Sequence, residues 1–375
     1  MRAQLDAVVE SGRWRSPREF DALGPVGGLD GASVVSFASN DYLGLSAHPA
    51  VIAAAGAALE RWGAGAGASR LVTGSRPVHT ELEQALAGWK ETEAAICFPT
   101  GFAANLGALS VLGGPEVRVL SDELNHASII DGCRLSRSRV SIYRHRDLEH
   151  LSDLLDSGPG GPTIVVTDTV FSMDGDAAPV EEIATLCRHH GALLLVDEAH
   201  AVLGPHLPPS LTADPDLTLV RMGTLSKTLG SLGGFLAGPR AVIDLMVNLA
   251  RPYIFTTGLT PADTAAALAA LGVLRSAEGE ALVQRLSDLV ERVAPPGAPS
   301  SPIIPVILGS ERRALEASAA LLADGLWVPA IRPPTVPVGT SRLRVTVSAA
   351  HTDAQVDKLI DALEPLRSAA LARAL

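Results

Sequence analysis

The chain has 375 residues, 47% of them hydrophobic and 19% charged, with a formal net charge of −11. That length suggests two or three domains with a sizeable core, and the acidic balance excludes a basic nucleic-acid-binding surface. No apolar run reaches the roughly 20 residues of a membrane span, the N-terminal MRAQLDAVVE lacks the apolar core of a signal peptide, and Cys97, Cys133 and Cys187 have no CxxC spacing, so neither a disulfide framework nor a metal site is expected and a cytoplasmic location is.

Residues 1–38 contain arginines and then a glycine-rich stretch, and read as an N-terminal arm or small lobe. From about residue 94, short apolar runs alternate with amphipathic stretches. AAICF reads as a strand and GFAANLGALSVLGG as a helix. EVRVLSD, RVSIYRH, TIVVTDTV and ALLLVDEAH read as further strands, with HASIIDGCRLS, DLEHLSDLLDSG and VEEIATLCRHHG as the helices between them; LTLVRMGT and GGFLAGP complete the series. Apolar runs without polar alternation indicate strands covered on both faces, and their alternation with helices predicts a mainly parallel, doubly wound α/β sheet. In such sheets ligands bind at the C-terminal ends of the strands. A long Ala/Leu helix follows TGLTPADT, then the linker APPGAPSSP, then strands PIIPVILG and RLRVTVSA flanked by helices. The expected division is an arm (1–38), a large domain (39–262) and a small α+β C-terminal domain (263–375).

Only three lysines occur. Lys90 and Lys358 fall in amphipathic helical stretches and read as solvated. Lys227 sits in GTLSKTLGSLGG, where small neighbours admit a flat ligand and Thr224 and Ser226 offer hydroxyls to a phosphate. A lysine held dry can form an imine with an aldehyde cofactor; a solvated loop lysine is the bland alternative. Asp197 ends a buried strand in LLLVDEAH, where a carboxylate can pair with a protonated pyridine nitrogen, and His200 lies three residues on. A Walker-type magnesium site is disfavoured because no GxxxxGK[ST] segment is present. Gly101 and Phe102 start a helix directly after a strand, which suits an anion. His126 also starts a helix, and Ser172 follows a strand in FSMDGD. The His-containing YRHRDLEH and the His189–His190 pair read as solvated faces. Arg332 precedes two prolines that stiffen its loop, a setting suited to a substrate carboxylate.

Taken in order, SNDYLGL, GASRLVTGSRPVHTELE, GFAAN, NHAS, FSMDGDAAPV, VDEAH, GTLSK and IRPPTVPVGT run through about 300 residues. This set resembles the α-oxoamine synthase family of pyridoxal 5'-phosphate (PLP) enzymes, which have the fold type I, aspartate aminotransferase-like architecture. The resemblance implies that Lys227 carries the cofactor as a Schiff base, that Asp197 and His200 meet the pyridine nitrogen and phenolic oxygen, and that His126 stacks on the ring. It further implies that Gly101, Phe102, Ser172 and Thr224 contact the cofactor, and that Arg13 (or Arg15), Asn40, His126, Arg332 and Thr335 face substrate. FSMDGD and AIRPPTVPVGTSRLR most resemble the members that condense L-alanine with a pimeloyl thioester, carried on CoA or on a carrier protein. The alternative within the family is glycine with acetyl-CoA. A homodimer is implied, with IFTTGLT (254–260) a candidate to reach the partner's phosphate site. AVLGPHLPPS after DEAH departs from the family's glycine-spaced stretch ending in GRG, and the N-terminal arm matches poorly; both bear on acyl recognition more than on cofactor chemistry.

Overall fold

The computed structural model describes residues 1–158 and 160–371. A seven-stranded sheet forms its centre, in the spatial order Ala94–Phe98, Gly234–Gly238, Leu219–Thr224, Leu193–Asp197, Thr163–Asp168, Arg118–Asp122, Arg139–Tyr143. Six strands run parallel as expected; Gly234–Gly238 is antiparallel to both neighbours. The reason is connection length. A parallel crossover takes a dozen or more residues, usually with a helix, whereas only the tight 225–233 loop separates this strand from Leu219–Thr224.

Along Leu193–Asp197, Leu194 and Val196 pack with Leu151, Ile183 and Cys187, while Leu195 packs on the opposite face with Ala104, Leu109 and Met246. Both faces are thus covered by helices, which explains why the strand sequence carries no polar alternation.

The expected long Ala/Leu helix is two helices, Pro261–Leu274 and Ala277–Val293, with Ser276 accepting from the Gly279 amide to cap the second. The C-terminal lobe contains Ile303–Gly309, Ser341–Thr346 and Ala330–Ile331 as an antiparallel sheet, with helices Glu311–Ala323 and Asp353–Leu371. The N-terminal strands Phe20–Ala22, Val26–Leu29 and Ala32–Ser36 form a second sheet, and Leu326–Trp327 of the C-terminal lobe extends it in parallel beside Ala32–Ser36. Residues 20–36 are therefore joined by a strand pairing to the far end of the chain.

Two surface assignments are corrected. Lys90 is 8% exposed, and its ammonium lies 3.1 Å from Glu198, a carboxylate that Arg221 also clamps at 2.6 and 3.0 Å. A single cation at a helix end looks solvated until its buried partner on another strand is known. YRHRDLEH is not simply a solvated face either: His145 is half-buried between two aspartates.

Candidate active site

Five chain segments leave the C-terminal ends of parallel strands and converge. After Phe98 the chain enters helix Gly101–Leu112, whose N-cap Thr100 accepts from the Ala103 amide at 3.0 Å. After Asp122 it reaches His126, which caps helix Ala127–Ser136. Ser172 follows Asp168, His200 follows Asp197, and Lys227 follows Thr224. Gly234 completes the packing: a Cβ there would lie 2.4 Å from the Gly101 Cα. Gly230, at φ +59°, lets the lysine loop press on Ser46, whose amide nitrogen a Cβ would approach to 2.3 Å.

Gly101, Phe102, His126, Ser172, Asp197, His200, Thr224 and Lys227 all line one cavity of about 200 Å³. Arg13 and Thr335 line a neighbouring cavity that shares Ser172 with the first. Arg332 lines neither, and its Nη1 donates to the Gly12 carbonyl at 2.8 Å. Asn40 lines neither cavity; its Oδ1 accepts from Arg344 at 3.1 Å and from the Tyr42 hydroxyl at 3.2 Å.

Lys227 Nζ lies 2.7 Å from His200 Nε2, and His200 Nδ1 lies 2.5 Å from the Tyr42 hydroxyl. Burial pulls the Lys227 pKa down to about 8, although Asp197 and Asp168 oppose the fall. Burial, with the nearby Lys227 and Arg344 charges, holds His200 well below its ordinary value. A neutral His200 accepting from Lys227 at Nε2 carries its proton on Nδ1, donates to Tyr42, and leaves the Tyr42 proton for Asn40. At the cavity floor Asp197 accepts from Asn105 Nδ2 at 2.8 Å and from the Ala199 amide at 2.9 Å. Asp168 accepts the His126 amide at 2.8 Å, and burial and the Asp197 charge push its pKa well up. Burial lowers His126, which favours its neutral form.

Tyr42, Asn105, Asp168 and Arg344 were not picked out from the sequence. Tyr42 and Asn105 sit inside SNDYLGL and GFAAN, so their motifs flagged them without a role. Asp168 is a second strand-end aspartate of the same kind as Asp197. Arg344 closes AIRPPTVPVGTSRLR, so that segment likewise contained it without a role; it is a buried arginine in a strand of the other lobe.

The residues present fit PLP. A dry amine, a carboxylate held by two donors at the floor, and helix-start amides beside the Thr224 and Ser226 hydroxyls suit an aldehyde, a protonated ring nitrogen and a phosphate respectively. A doubly wound α/β sheet bearing this constellation on its C-terminal rim defines a fold type I PLP-dependent enzyme.

Comparison with known proteins agrees. The profile of the family described as aminotransferase class I and II matches residues 32–363, and the chain belongs to that family. The 8-amino-7-oxononanoate synthase of Anaeromyxobacter dehalogenans is 50% identical over 96% of this chain and 94% of its own length. That of Bordetella petrii is 46% identical over 90% and 89%. Among solved structures, a serine palmitoyltransferase from S. paucimobilis with PLP and myriocin bound superposes with TM-score 0.90 at 31% identity, covering 98% of this chain and 96% of that one. The 8-amino-7-oxononanoate synthase of Francisella tularensis gives TM-score 0.75 at 25% identity over 91% and 99%. Within its family the chain is thus a PLP-dependent α-oxoamine synthase.

Proposed function

We propose that the chain is a PLP-dependent acyltransferase catalysing the decarboxylative condensation of L-alanine with a pimeloyl thioester, the reaction of biotin synthesis that gives 8-amino-7-oxononanoate. The observation that carries the reading is the convergence of Lys227, Asp197, His200 and His126 on one cavity, in a chain about 50% identical to 8-amino-7-oxononanoate synthases.

When bound, PLP supplies an electrophilic aldehyde and an electron-withdrawing ring that stabilises negative charge on the amino acid's α-carbon. Lys227 anchors it; an amine brought down to about 8 is neutral in a useful fraction near neutrality and can attack a carbonyl or accept the α-proton. Asp197, fixed by Asn105 and Ala199, keeps the ring nitrogen protonated. Gly101, Phe102 and Thr224 would hold the phosphate, Ser172 and His200 would meet the ring side, and His126 would stack on it. The amino acid's carboxylate goes to Arg344, which holds the carbonyl of the cavity residue Ser172 and, through Asn40 and Tyr42, connects to His200, in preference to Arg332, which is turned to Gly12. Arg332 is then placed with Arg13 and Thr335 on the acyl side. Asn40 orients both Arg344 and Tyr42.

Two further elements belong to this reading. Among the described residues no helix is long and apolar enough to cross a membrane, which suits a cytoplasmic enzyme. Segments 68–74 and 254–258 pack together and leave Leu71, Val72 and Phe255 exposed, which suits burial against a second copy in a homodimer. Side-by-side product analysis with alanine plus pimeloyl-CoA or pimeloyl-carrier protein, and with glycine plus acetyl-CoA, tests the assignment. A product only from the glycine pair sinks it.

A further inference from the structure

Segment Phe171–Asp176, which carries Ser172, is held from two sides. From the small lobe, Arg344 Nε donates to the Ser172 carbonyl at 2.6 Å, while Arg342 pairs with Asp174 and donates to the Met173 carbonyl at 3.2 Å. Gly175, at φ +70°, lies so close to that lobe that a Cβ would sit 2.2 Å from the Ile303 carbonyl oxygen. From the sheet, His145 reaches Asp122 with Nδ1 and Asp176 with Nε2, both at 2.9 Å, and its ring meets the Phe171 ring edge to face at 4.3 Å.

Both His145 ring nitrogens face carboxylates, so both donate, and the ring is an imidazolium between two anions. Its surroundings are otherwise few: Arg146 Nη1 touches Asp176 at 3.1 Å, and Glu123 accepts the His145 amide at 2.9 Å. Asp122 is fixed independently of the ring, since it also accepts the Leu124 and Arg146 amides. The Asp176 carboxylate accepts no backbone amide; besides the ring it meets the Arg146 guanidinium, on a half-exposed side chain. Without the imidazolium, two carboxylates that each reach one ring would repel across the gap, and Asp176, the less firmly anchored of the two, is the one that moves. The displacement reaches Ser172 because the segment is closed on itself: the Phe171 amide donates to the Asp176 carbonyl at 2.9 Å and the Gly175 amide to the Phe171 carbonyl at 2.8 Å.

We propose that His145 is a positioning residue: its clamp between Asp122 and Asp176 sets segment Phe171–Asp176 so that Ser172 faces the Lys227 cavity while its carbonyl meets Arg344. The inference rests on the PLP reading above. It assigns to YRHRDLEH a task in the site although His145 lines neither the Lys227 cavity nor the one beside it.

The test compares the parent chain with His145→Gln and His145→Asn, measuring PLP affinity of the apoprotein by quenching of tryptophan fluorescence, the amino-acid KM and kcat separately, and thermal melting. A displaced Ser172 weakens PLP binding by about tenfold and raises the amino-acid KM several-fold through Arg344, with kcat within about threefold. In the double variant His145→Gln/Asp176→Asn the repulsion is gone, and affinity recovers toward the parent. A merely structural role lowers the melting temperature but leaves affinity and KM of the folded protein unchanged, and values within about twofold of the parent in a folded single variant overturn the proposal. Should His145→Gln not fold, His145→Asn is read alone by the same criterion. A parent chain that binds no PLP overturns the cofactor reading and this inference together, whereas a parent that binds while its variants match it overturns only the inference.

Discussion

Glu198 offers the sharpest test of how the site is built. It lies between Asp197 and His200, yet it points away from the cavity into a buried triad: Arg221 donates to it at 2.6 and 3.0 Å, Lys90 lies 3.1 Å away, and Arg221 Nη1 also donates to the Lys90 carbonyl at 2.9 Å. Burial alone would raise its pKa, but the two cations outweigh it and hold the carboxylate below its ordinary range. Glu198→Gln keeps the shape and removes the charge, leaving two cations buried without an anion. Breaking a buried pair in this way costs about 3–5 kcal/mol. Lys90→Met is the contrasting change. It loses one ion contact and a cation–π contact with Trp89 at 3.9 Å, worth about 0.5–2 kcal/mol together, but it also removes an ammonium whose pKa burial already depresses and leaves Glu198 and Arg221 as a balanced bidentate pair. Its net cost is therefore within about 1 kcal/mol of zero. Urea unfolding of both variants, followed by fluorescence, measures the difference. Equal losses in the two variants would show that the triad acts as one unit rather than as an anion with a surplus cation, and the reasoning would fail.

Four other outcomes follow from the geometry. Lys227→Ala abolishes the visible cofactor band and lowers activity by on the order of 10³-fold; an unchanged absorption spectrum after adding PLP would remove the lysine from its role. Tyr42→Phe leaves His200 Nδ1 without its partner and lowers kcat by about tenfold while PLP affinity changes little, read from steady-state kinetics and fluorescence titration. Asn105→Ala strips Asp197 of one of its two donors and costs about 1–3 kcal/mol, measurable as a lower melting temperature together with weaker PLP binding. For His145, burial pulls the pKa down but hydrogen bonds to Asp122 and Asp176 outweigh it and raise it to about 9. A base raised above its unfolded value of 6.5 contributes stability that is full below 6.5 and lost as pH rises through about 9. Melting temperature should thus fall between those values in the parent and fall less in His145→Gln; parallel curves would contradict the raised pKa.

The parallel sheet was legible because its signal is local. Thr163–Asp168 and Leu193–Asp197 are apolar on consecutive residues, which only a strand covered on both faces sustains, and helices of the right length stand between them. The reversed direction of Gly234–Gly238 could be read only from the shortness of the loop before it. The pairing of Ala32–Ser36 with Leu326–Trp327 was not legible at all. It joins positions almost 300 residues apart through a two-residue strand, too short for any periodicity to register.

The same division runs through the site. Lys227, Asp197, His200 and His126 sit at strand ends and helix starts, where a polar residue beside an apolar run is conspicuous. Arg344, last in AIRPPTVPVGTSRLR, and Lys90, read as solvated, were given no buried role because a charged residue is written identically whether it faces water or a buried counter-charge; what distinguishes them is a partner far away in the chain. Lys90 finds Glu198 at a separation of 108 residues, and Arg344 finds Asn40 at 304. Arg344 shows why this matters for function. One guanidinium from the small lobe touches the Ser172 carbonyl, Thr346 Oγ1 and Asn40 Oδ1, and so ties the segment after Asp168 to the segment before Tyr42. A carboxylate binding there would complete a charge pair at the junction of the two lobes and, through Asn40 and Tyr42, act on the hydrogen bonds that end at Lys227.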